Sequence, residues 1–413
     1  MKIAVVDSGV SGLVAAHLLS PRHDVVLFEA DARIGGHVHT IDVPGTAGPS
    51  AVDTGFIVFN RRTYPSFVRL LDRLGVAAQE SDMSFGVRSE ARDLEYSGSG
   101  LLGLYAQPAN AVSPRFHRMV ADMFRFFREA RELLEEGSEV ELLRWLEARG
   151  YSRAFIEDHL LPMVGAVWSS SREGVKAFPA RFLARFFENH GFLQVNDRPA
   201  WYTVKGGSRT SVQAILDGFR GEVRTSCPVL KVRREPRAVI VRFAGAAAER
   251  FDHAILACHA DQALRMLEDP SPAEREILSA FPYRPNDVLL HDDEAVMPHR
   301  KRAWASWNYH LDDGGAPGAS VTYWMNHLQR LPGPRQLFVT LNRSGAVRPE
   351  RVLRRLEYHH PVFTMAGVAA QARHPELLGP RRTSYCGAYW RNGFHEDGVV
   401  SALAACRGFE VSL

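Results

Sequence analysis

Six residues near the amino terminus, Asp7-Ser8-Gly9-Val10-Ser11-Gly12, carry most of the spacing of a turn that cradles pyrophosphate. In the pattern G-x-G-x-x-G the first glycine makes the tight turn, the second lets backbone approach the phosphates, and the third lets a helix pack closely on a strand. Gly9 and Gly12 hold the second and third positions, and Asp7 stands at the first. Glu29 follows about twenty residues on, where a carboxylate accepts hydrogen bonds from ribose hydroxyls. Asp7 adds a Cβ where glycine is suited and a negative charge where a helix N-terminus attracts anions. Facing the phosphates, that carboxylate weakens binding; turned away or paired, it leaves binding intact. A unit that has lost its cofactor is the remaining alternative.

Two further clusters bring backbone close to a ligand. Glu29-Ala30-Asp31-Ala32-Arg33-Ile34-Gly35-Gly36-His37 sets a double glycine after the carboxylate, where the chain passes a large flat group and Arg33 reaches phosphate. Val52-Asp53-Thr54-Gly55-Phe56 reads as another close-approach turn. A unit for nicotinamide dinucleotide alone needs neither. No Ser/His/Asp or Cys/His nucleophile pattern stands out, and the acidic residues lack metal-ligand spacing.

The elements that position these residues are legible nearby. Ile3 to Val6 is an apolar, largely β-branched run, as in a buried parallel strand. Leu13 to Leu19 is small and aliphatic, suiting a helix on a sheet, and Pro21 stops it. Val25 to Phe28 is a second strand ending at Glu29, which completes a βαβ unit. From about Arg61 to Pro199 the texture is that of amphipathic helices. Between Phe116 and Leu134 apolar residues recur at helical spacing with arginines elsewhere. That aromatic face reads as core, or as a helix lining a greasy channel or touching a membrane surface. Sheet character returns from Trp201 to Phe243, Phe251 to Cys258, Val321 to Met325 and Leu337 to Leu341. A glycine-rich strand-to-helix junction, Tyr385 to Cys406, closes the chain.

At 413 residues the chain exceeds one ordinary core, so two domains are expected. A charge of +3 argues against a nucleic-acid partner. Cys227, Cys258, Cys386 and Cys406 form no CxxC pair, so neither zinc nor a disulfide framework is expected. The N-terminus enters a strand directly, and no uncharged run would span a bilayer. A cytoplasmic protein is expected, with any contact to the inner membrane peripheral.

The blocks together resemble the flavin-containing amine oxidase superfamily, which also holds phytoene desaturases and protoporphyrinogen oxidases. The resemblance is carried by the N-terminal unit with Arg33-Ile34-Gly35-Gly36, by Lys205-Gly206-Gly207-Ser208, by Pro228-Val229-Leu230 with Ala254-Ile255-Leu256-Ala257, and by Gly387-Ala388 through Glu396-Asp397-Gly398-Val399-Val400-Ser401-Ala402. It implies an α/β fold: a Rossmann-like FAD-binding domain, a βαβ unit with a mixed sheet, from residues 1–60, 200–265 and 376–413. An α+β substrate domain of the amine oxidase type would come from 61–199 and 266–375. Carried over by position, the FAD site comprises Gly9, Ser11 and Gly12 in the turn, and Glu29, Ala30, Arg33, Gly35, Gly36 and His37 after the second strand. Gly55 follows, then Val229, which would hold adenine through its backbone, and the terminal Gly387, Glu396, Asp397, Gly398 and Val399. No metal is implied.

Within the superfamily the chain is similar to a bacterial subgroup described as predicted NAD/FAD-binding proteins. Leu161-Pro162-Met163, Val167-Trp168-Ser169, Ala305 to Tyr309, Val321 to Asn326, and Cys386 to Trp390 with Gly393 to Gly398 carry this. Members are often encoded beside cyclopropane-fatty-acid-synthase-like methyltransferases, and some are linked to desaturation of methyl-branched fatty acyl chains. The resemblance therefore implies an acyl-lipid or other hydrophobic substrate, with a redox or methyltransferase protein as partner.

A flavin itself takes the hydride, so the protein must position a C–H bond and exclude water. His395 and Asn326 are the polar candidates for catalysis, with Tyr323 and Trp324 as catalytic-pocket aromatics beside them. None of the five lysines is a convincing equivalent of the lysine that amine oxidases of this superfamily carry near the flavin. The expected activity is desaturation of a fatty acyl chain. A flavin amine oxidase is one alternative, and a cofactor-poor scaffold for lipid modification another. With no second dinucleotide fingerprint, reoxidation falls to oxygen, a quinone or a partner protein.

Overall fold

In the computed structural model, residues 1–45, 48–135, 140–194, 196–245, 247–311 and 318–413 are described. The apolar run at the N-terminus forms strand β1 (Lys2–Val6), and helix α1 (Val10–Leu19) follows, with Ser11 to Ala16 all buried. Its small residues let α1 lie flat on the sheet. Strand β2 (Asp24–Phe28) completes the βαβ unit. β1 then pairs on its other side with a strand from far along the chain, β4 (His253–Leu256), Val5 lying opposite Leu27 on one side and Ile255 on the other. With β3 (Glu222–Arg224) and β5 (Thr383–Tyr385) the sheet order is β3-β2-β1-β4-β5, and every pairing is parallel. Asp7, Glu29, Ala257 and Cys386 therefore follow the carboxyl ends of four adjacent strands, the edge at which open α/β sheets bind ligands.

The mixed sheet is the other large one. Its seven strands run in the order Val352–Pro361, Tyr283–His291, Phe338–Leu341, Val321–Trp324, Trp307–His310, Phe85–Ser89, Leu94–Ser97. All neighbours are antiparallel except Trp307–His310 with Phe85–Ser89. The region read as helical thus contains strands: Ala78–Ser81, Phe85–Ser89 and Leu94–Ser97 form because distant strands pair with two of them. Helix α2 (Pro65–Arg73) precedes them and α3 (Pro114–Glu129) follows. α3 ends short of Leu134, and a separate turn of helix covers Glu132–Glu135. Helix α4 (His395–Cys406) packs along α1. One core lies between the parallel sheet, α1 and α4; a larger one lies under the mixed sheet among the helices of residues 114–193. Among the described residues no helix is long and apolar enough to cross a membrane.

Candidate functional site

Asp7 adopts φ +85°, the left-handed conformation that the pattern reserves for glycine. Its Oδ1 accepts the Gly9 N–H at 2.6 Å, which closes the turn on itself. A Cβ at Gly12 would overlap the Asp7 carbonyl oxygen, so the third glycine is required by contact. Gly9 caps α1 without a side chain, and the first turn of the helix opens toward the strand edge. Burial pushes the Asp7 carboxyl up to about 7, and the neighbouring Glu29 and Asp31 carboxylates push the same way.

Glu29 is buried at the end of β2, where its Oε2 accepts both the N–H and the Oγ–H of Ser8 and its Oε1 accepts the Asp31 N–H at 2.9 Å. Ser8 Oγ also accepts the Gly35 N–H at 3.1 Å. Ser8 therefore ties the two glycine turns together. The sequence reading passed over it as an x position, although its place between fingerprint residues was the available signal.

Gly35 and Gly36 both have positive φ, +120° and +56°. A Cβ at Gly36 would come within 3.0 Å of Gly9 Cα, so the second turn lies directly on the first. Arg33, expected to reach phosphate, has its guanidinium among backbone carbonyls. Its guanidinium donates to the carbonyls of Val38 at 2.8 Å, Gly36 at 2.7 Å and Ile34 at 3.3 Å, because the two left-handed glycines curl those carbonyls inward around it. Gly55 lies so close to the His37 carbonyl that a Cβ would overlap it. Ala30 is exposed beside Glu29. Val229 begins the strand after a segment in which Ser226 and Cys227 donate N–H bonds to the Asp31 and Glu29 carbonyls, so it lies next to the acidic strand end.

The carboxylates of the C-terminal block cap helices. Asp397 Oδ2 accepts the N–H groups of Phe394 at 2.9 Å and Asn392 at 3.1 Å, closing the start of α4. Burial raises this carboxyl to about 7. Glu396 accepts the N–H groups of Ser66 at 3.1 Å and Phe67 at 2.8 Å and so caps α2. Both were expected to face the cofactor; their oxygens are engaged with backbone instead. Ser11 Oγ donates to the Gly398 carbonyl at 3.0 Å, a Cβ at Gly398 would run into Val10, and Val399 is fully buried between the helices. The Gly387 N–H donates to Ser401 Oγ at 2.9 Å.

His395 opens α4 with its ring stacked on Phe56, 3.6 Å between centroids, and edge-on to Phe67. Burial lowers its pKa to about 3 and that of His37 to about 4, so both rings are neutral at physiological pH. The Nε2 atoms of both are buried without a hydrogen-bond partner. The ring of His37 lies 5.3 Å from that of His360 and 5.1 Å from that of Tyr358, on the strand Val352–Pro361. His360 leads to a surface cleft that it lines with Trp168, Ser170, Arg284 and Val362. Behind Trp168 runs an aromatic wall: Trp168 meets Phe186 at 4.6 Å, and Phe186 stacks on Phe394 at 5.2 Å, one residue before His395. Phe178, Phe182 and Phe363 thicken it.

Tyr323, Trp324 and Asn326 are not joined to His395 by any shared partner. Alternation along Val321–Trp324 puts Tyr323 into the large core against Trp307 at 4.9 Å and sends Trp324 to the opposite face. There Trp324 packs on Trp304 and donates Nε1–H to Gln336 at 2.7 Å. Asn326 bonds the Arg335 carbonyl at 2.9 Å and the Leu337 N–H at 2.7 Å, fastening its own connection. Asp53 is the functional position sequence reading missed. It accepts from Thr40 Oγ1, Ser208 Oγ and N–H, and Gln329 Nε2, all between 2.6 and 3.0 Å. It thereby locks the double-glycine block at Ser208 and the helix Met325–Gln329 onto the turn before Gly55.

A dinucleotide turn at a strand edge that opens on an apolar interior is the arrangement of a flavin-dependent oxidoreductase. Comparison with known proteins agrees: the chain belongs to the flavin-containing amine oxidoreductase family, whose model matches residues 10–327. The match begins just after the altered turn position. Among solved structures the chain is similar to one assigned as a protoporphyrinogen oxidase from Exiguobacterium sp. 255-15, at 13% identity and TM-score 0.69, covering 99% of this chain and 98% of that one. It is similar to the cyclohexylamine oxidase of Brevibacterium oxydans IH-35A, at 15% and 0.68, covering 99% of both. A fatty acid isomerase of P. acnes that produces CLA matches at 14% and 0.68, covering 98% of both. These likenesses establish the fold. No curated protein matches.

FAD is the cofactor of this family, and the residues fit it. The glycine cradle has no room for Cβ atoms, Glu29 closes the strand end, and two buried Nε2 atoms await partners. Asp7, at the first turn position, bonds the Gly9 N–H with its carboxyl.

Proposed function

We propose that this flavoenzyme desaturates a hydrophobic acyl chain, with a methyl-branched fatty acyl chain as the favoured substrate. The observation that carries this reading is the aromatic wall from Trp168 to Phe394, which reaches His395 without a lysine or an available carboxylate. Lys205, Lys231 and Lys301 are exposed, and Lys2 and Lys176 pair with glutamates at the surface. The nearest carboxylates, Glu396 and Asp397, are engaged as helix caps. An alkyl chain would find rings throughout, and with Glu396 and Asp397 engaged as caps an ammonium group would rest on those rings alone, without a free carboxylate beside them. The fatty acid isomerase among the structural relatives supports a lipid substrate.

In this reading residues 1–60, 200–265 and 376–413 hold FAD through the Gly9–Gly12 and Gly35–Gly36 turns, Glu29 and the backbone at Val229. When bound, the flavin ring accepts hydride. Forming a carbon–carbon double bond also releases a proton; burial lowers the pKa of His37 to about 4 and of His395 to about 3, so their unpartnered Nε2 atoms would accept hydrogen bonds at the site while the proton leaves to solvent. The aromatic wall excludes water from the hydride step. The partner is a protein or quinone that takes the electrons onward.

Two measurements test this. The purified protein is expected to show an oxidised-flavin absorbance spectrum near stoichiometry, and a colourless protein that takes up no added FAD overturns any flavoenzyme reading. Under anaerobic conditions methyl-branched acyl lipids are expected to bleach that spectrum while alkylamines leave it unchanged. The reverse pattern would replace the acyl reading with amine oxidation.

A further inference from the structure

Seven large hydrophobic residues are exposed among those described, and four of them, Leu101, Leu102, Val112 and Phe124, fall within one short stretch of chain. Leu101, Leu102 and Val112 are 75%, 72% and 81% exposed. The stretch is an ordered platform. Asn110 donates to the Glu95 carbonyl at 3.0 Å, the Gln107 side chain bonds the Glu95 N–H and the Asp93 carbonyl, and Ser113 caps α3 through the Phe116 N–H. Those bonds anchor the underside of the helix Leu101–Leu104 and of the turn Pro108–Val112 while the aliphatic side chains project outward.

The charge around them is mostly basic, with exposed Asp93 and Glu294 at its edge. From Gly98 to Arg128 the only acidic residue is Asp122, which is buried. Arg115, His117, Arg118 and Arg128 are exposed along α3 in the same stretch as Phe124. The helix Leu101–Leu104 also packs against the turn Lys301–Ala303, which adds exposed Lys301 and Arg302. Arg115 and Arg118 pair with Asp158 and Asp122, but both aspartates lie beneath the surface and both arginines remain more than half exposed. Lys301 pairs with Glu294, and Arg300 with buried Glu95.

We infer that this face, Leu101, Leu102 and Val112 with Lys301–Arg302 and the basic residues at the start of α3 beside it, docks the protein on an anionic lipid bilayer. Side chains three-quarters in water suit insertion into a deformable layer, and the cations around them complement phosphate headgroups. Protruding aliphatic tips and a basic rim are the two signals that together hold a protein at an interface without spanning it. This assignment stands apart from the acyl-chain reading, since the two rest on different residues.

The test is vesicle flotation of the full-length flavoprotein with phosphatidylglycerol-containing vesicles and with pure phosphatidylcholine vesicles. Binding is expected to the anionic vesicles only, and to weaken as salt screens the rim. Leu101→Gln/Leu102→Gln/Val112→Gln is expected to lower the bound fraction about tenfold or more, with unchanged circular dichroism. Lys301→Glu/Arg302→Glu is expected to lower it on anionic vesicles as well. A wild-type protein that stays with the unbound fraction overturns the inference, as does a triple variant that floats as well as wild type. Self-association removed by the same three substitutions, without lipid binding, would make this face a contact between copies and overturn it too.

Discussion

α1 and α4 start side by side, Gly398 against Val10 and Ser11, and each start carries an aspartate whose carboxyl burial raises to about 7. At α4 the aspartate is a cap: Asp397 accepts two backbone N–H groups and its own helix is closed by it. At α1 the aspartate sits before the helix, in a glycine conformation, accepts one N–H, and faces Glu29 and Asp31. The same side chain thus meets two backbone donors in one place, and one donor with two carboxylates nearby in the other. What differs is how many donors face it and which charges lie behind it.

The largest test of this contrast is Gly12→Ala. With no space between α1 and the Asp7 carbonyl, it is expected to destabilise the protein by about 3 kcal/mol or more, read as a lowered urea midpoint. Asp397→Ala should lose ~1–2 kcal/mol, the usual worth of an N-cap, and Asp397→Asn, which keeps one acceptor, should lose less in the same unfolding measurement. Asp7→Gly runs the other way. Removing the carboxylate and the strained φ is expected to tighten FAD binding about tenfold, or ~1.4 kcal/mol, by fluorescence titration of the apoprotein at pH 8. Weaker or unchanged binding would show that Asp7 is a cap like Asp397.

The pH dependence sharpens the same point. Folded Asp7 holds its proton to about pH 7 while the unfolded chain releases it near the ordinary carboxyl value, 3.8. Between those values the folded state binds more protons, so stability falls as pH rises and levels off above about 7. FAD affinity should fall over the upper part of that window in the wild type and stay flatter in Asp7→Gly. The smallest effect is expected at Asn326→Ala, whose bonds fasten residues 335–337: about 1 kcal/mol of stability and a flavin-bleaching rate within roughly twofold of wild type.

The βαβ unit, the double-glycine turn and the terminal strand-to-helix junction were legible because each is local: apolar run, glycine spacing and helix start lie within a few residues. The strands Phe85–Ser89 and Leu94–Ser97 were not, since both are short and the first owes its place to Trp307–His310 far along the chain. Side-chain roles followed the same rule. The cap at Asp397 lies within its own helix start, whereas the partners of Asp53 come from three separate segments and no spacing announces them. The carbonyl partners of Arg33 were not legible for a subtler reason: they are only residues away, but two left-handed glycines decide which way they point.

The bond from Glu396 to Ser66 and Phe67 joins residues about 330 positions apart, and β5 reaches the parallel sheet only after nearly all of the chain. During synthesis, therefore, α2 emerges long before its cap exists, and β1 waits for β4 on one side. The N-terminal unit that reads so clearly in the sequence is an unfinished surface until α4 has left the ribosome. The cofactor site accordingly depends on residues from both parts, and loss of residues 383–406 would be felt first at the N-terminal unit.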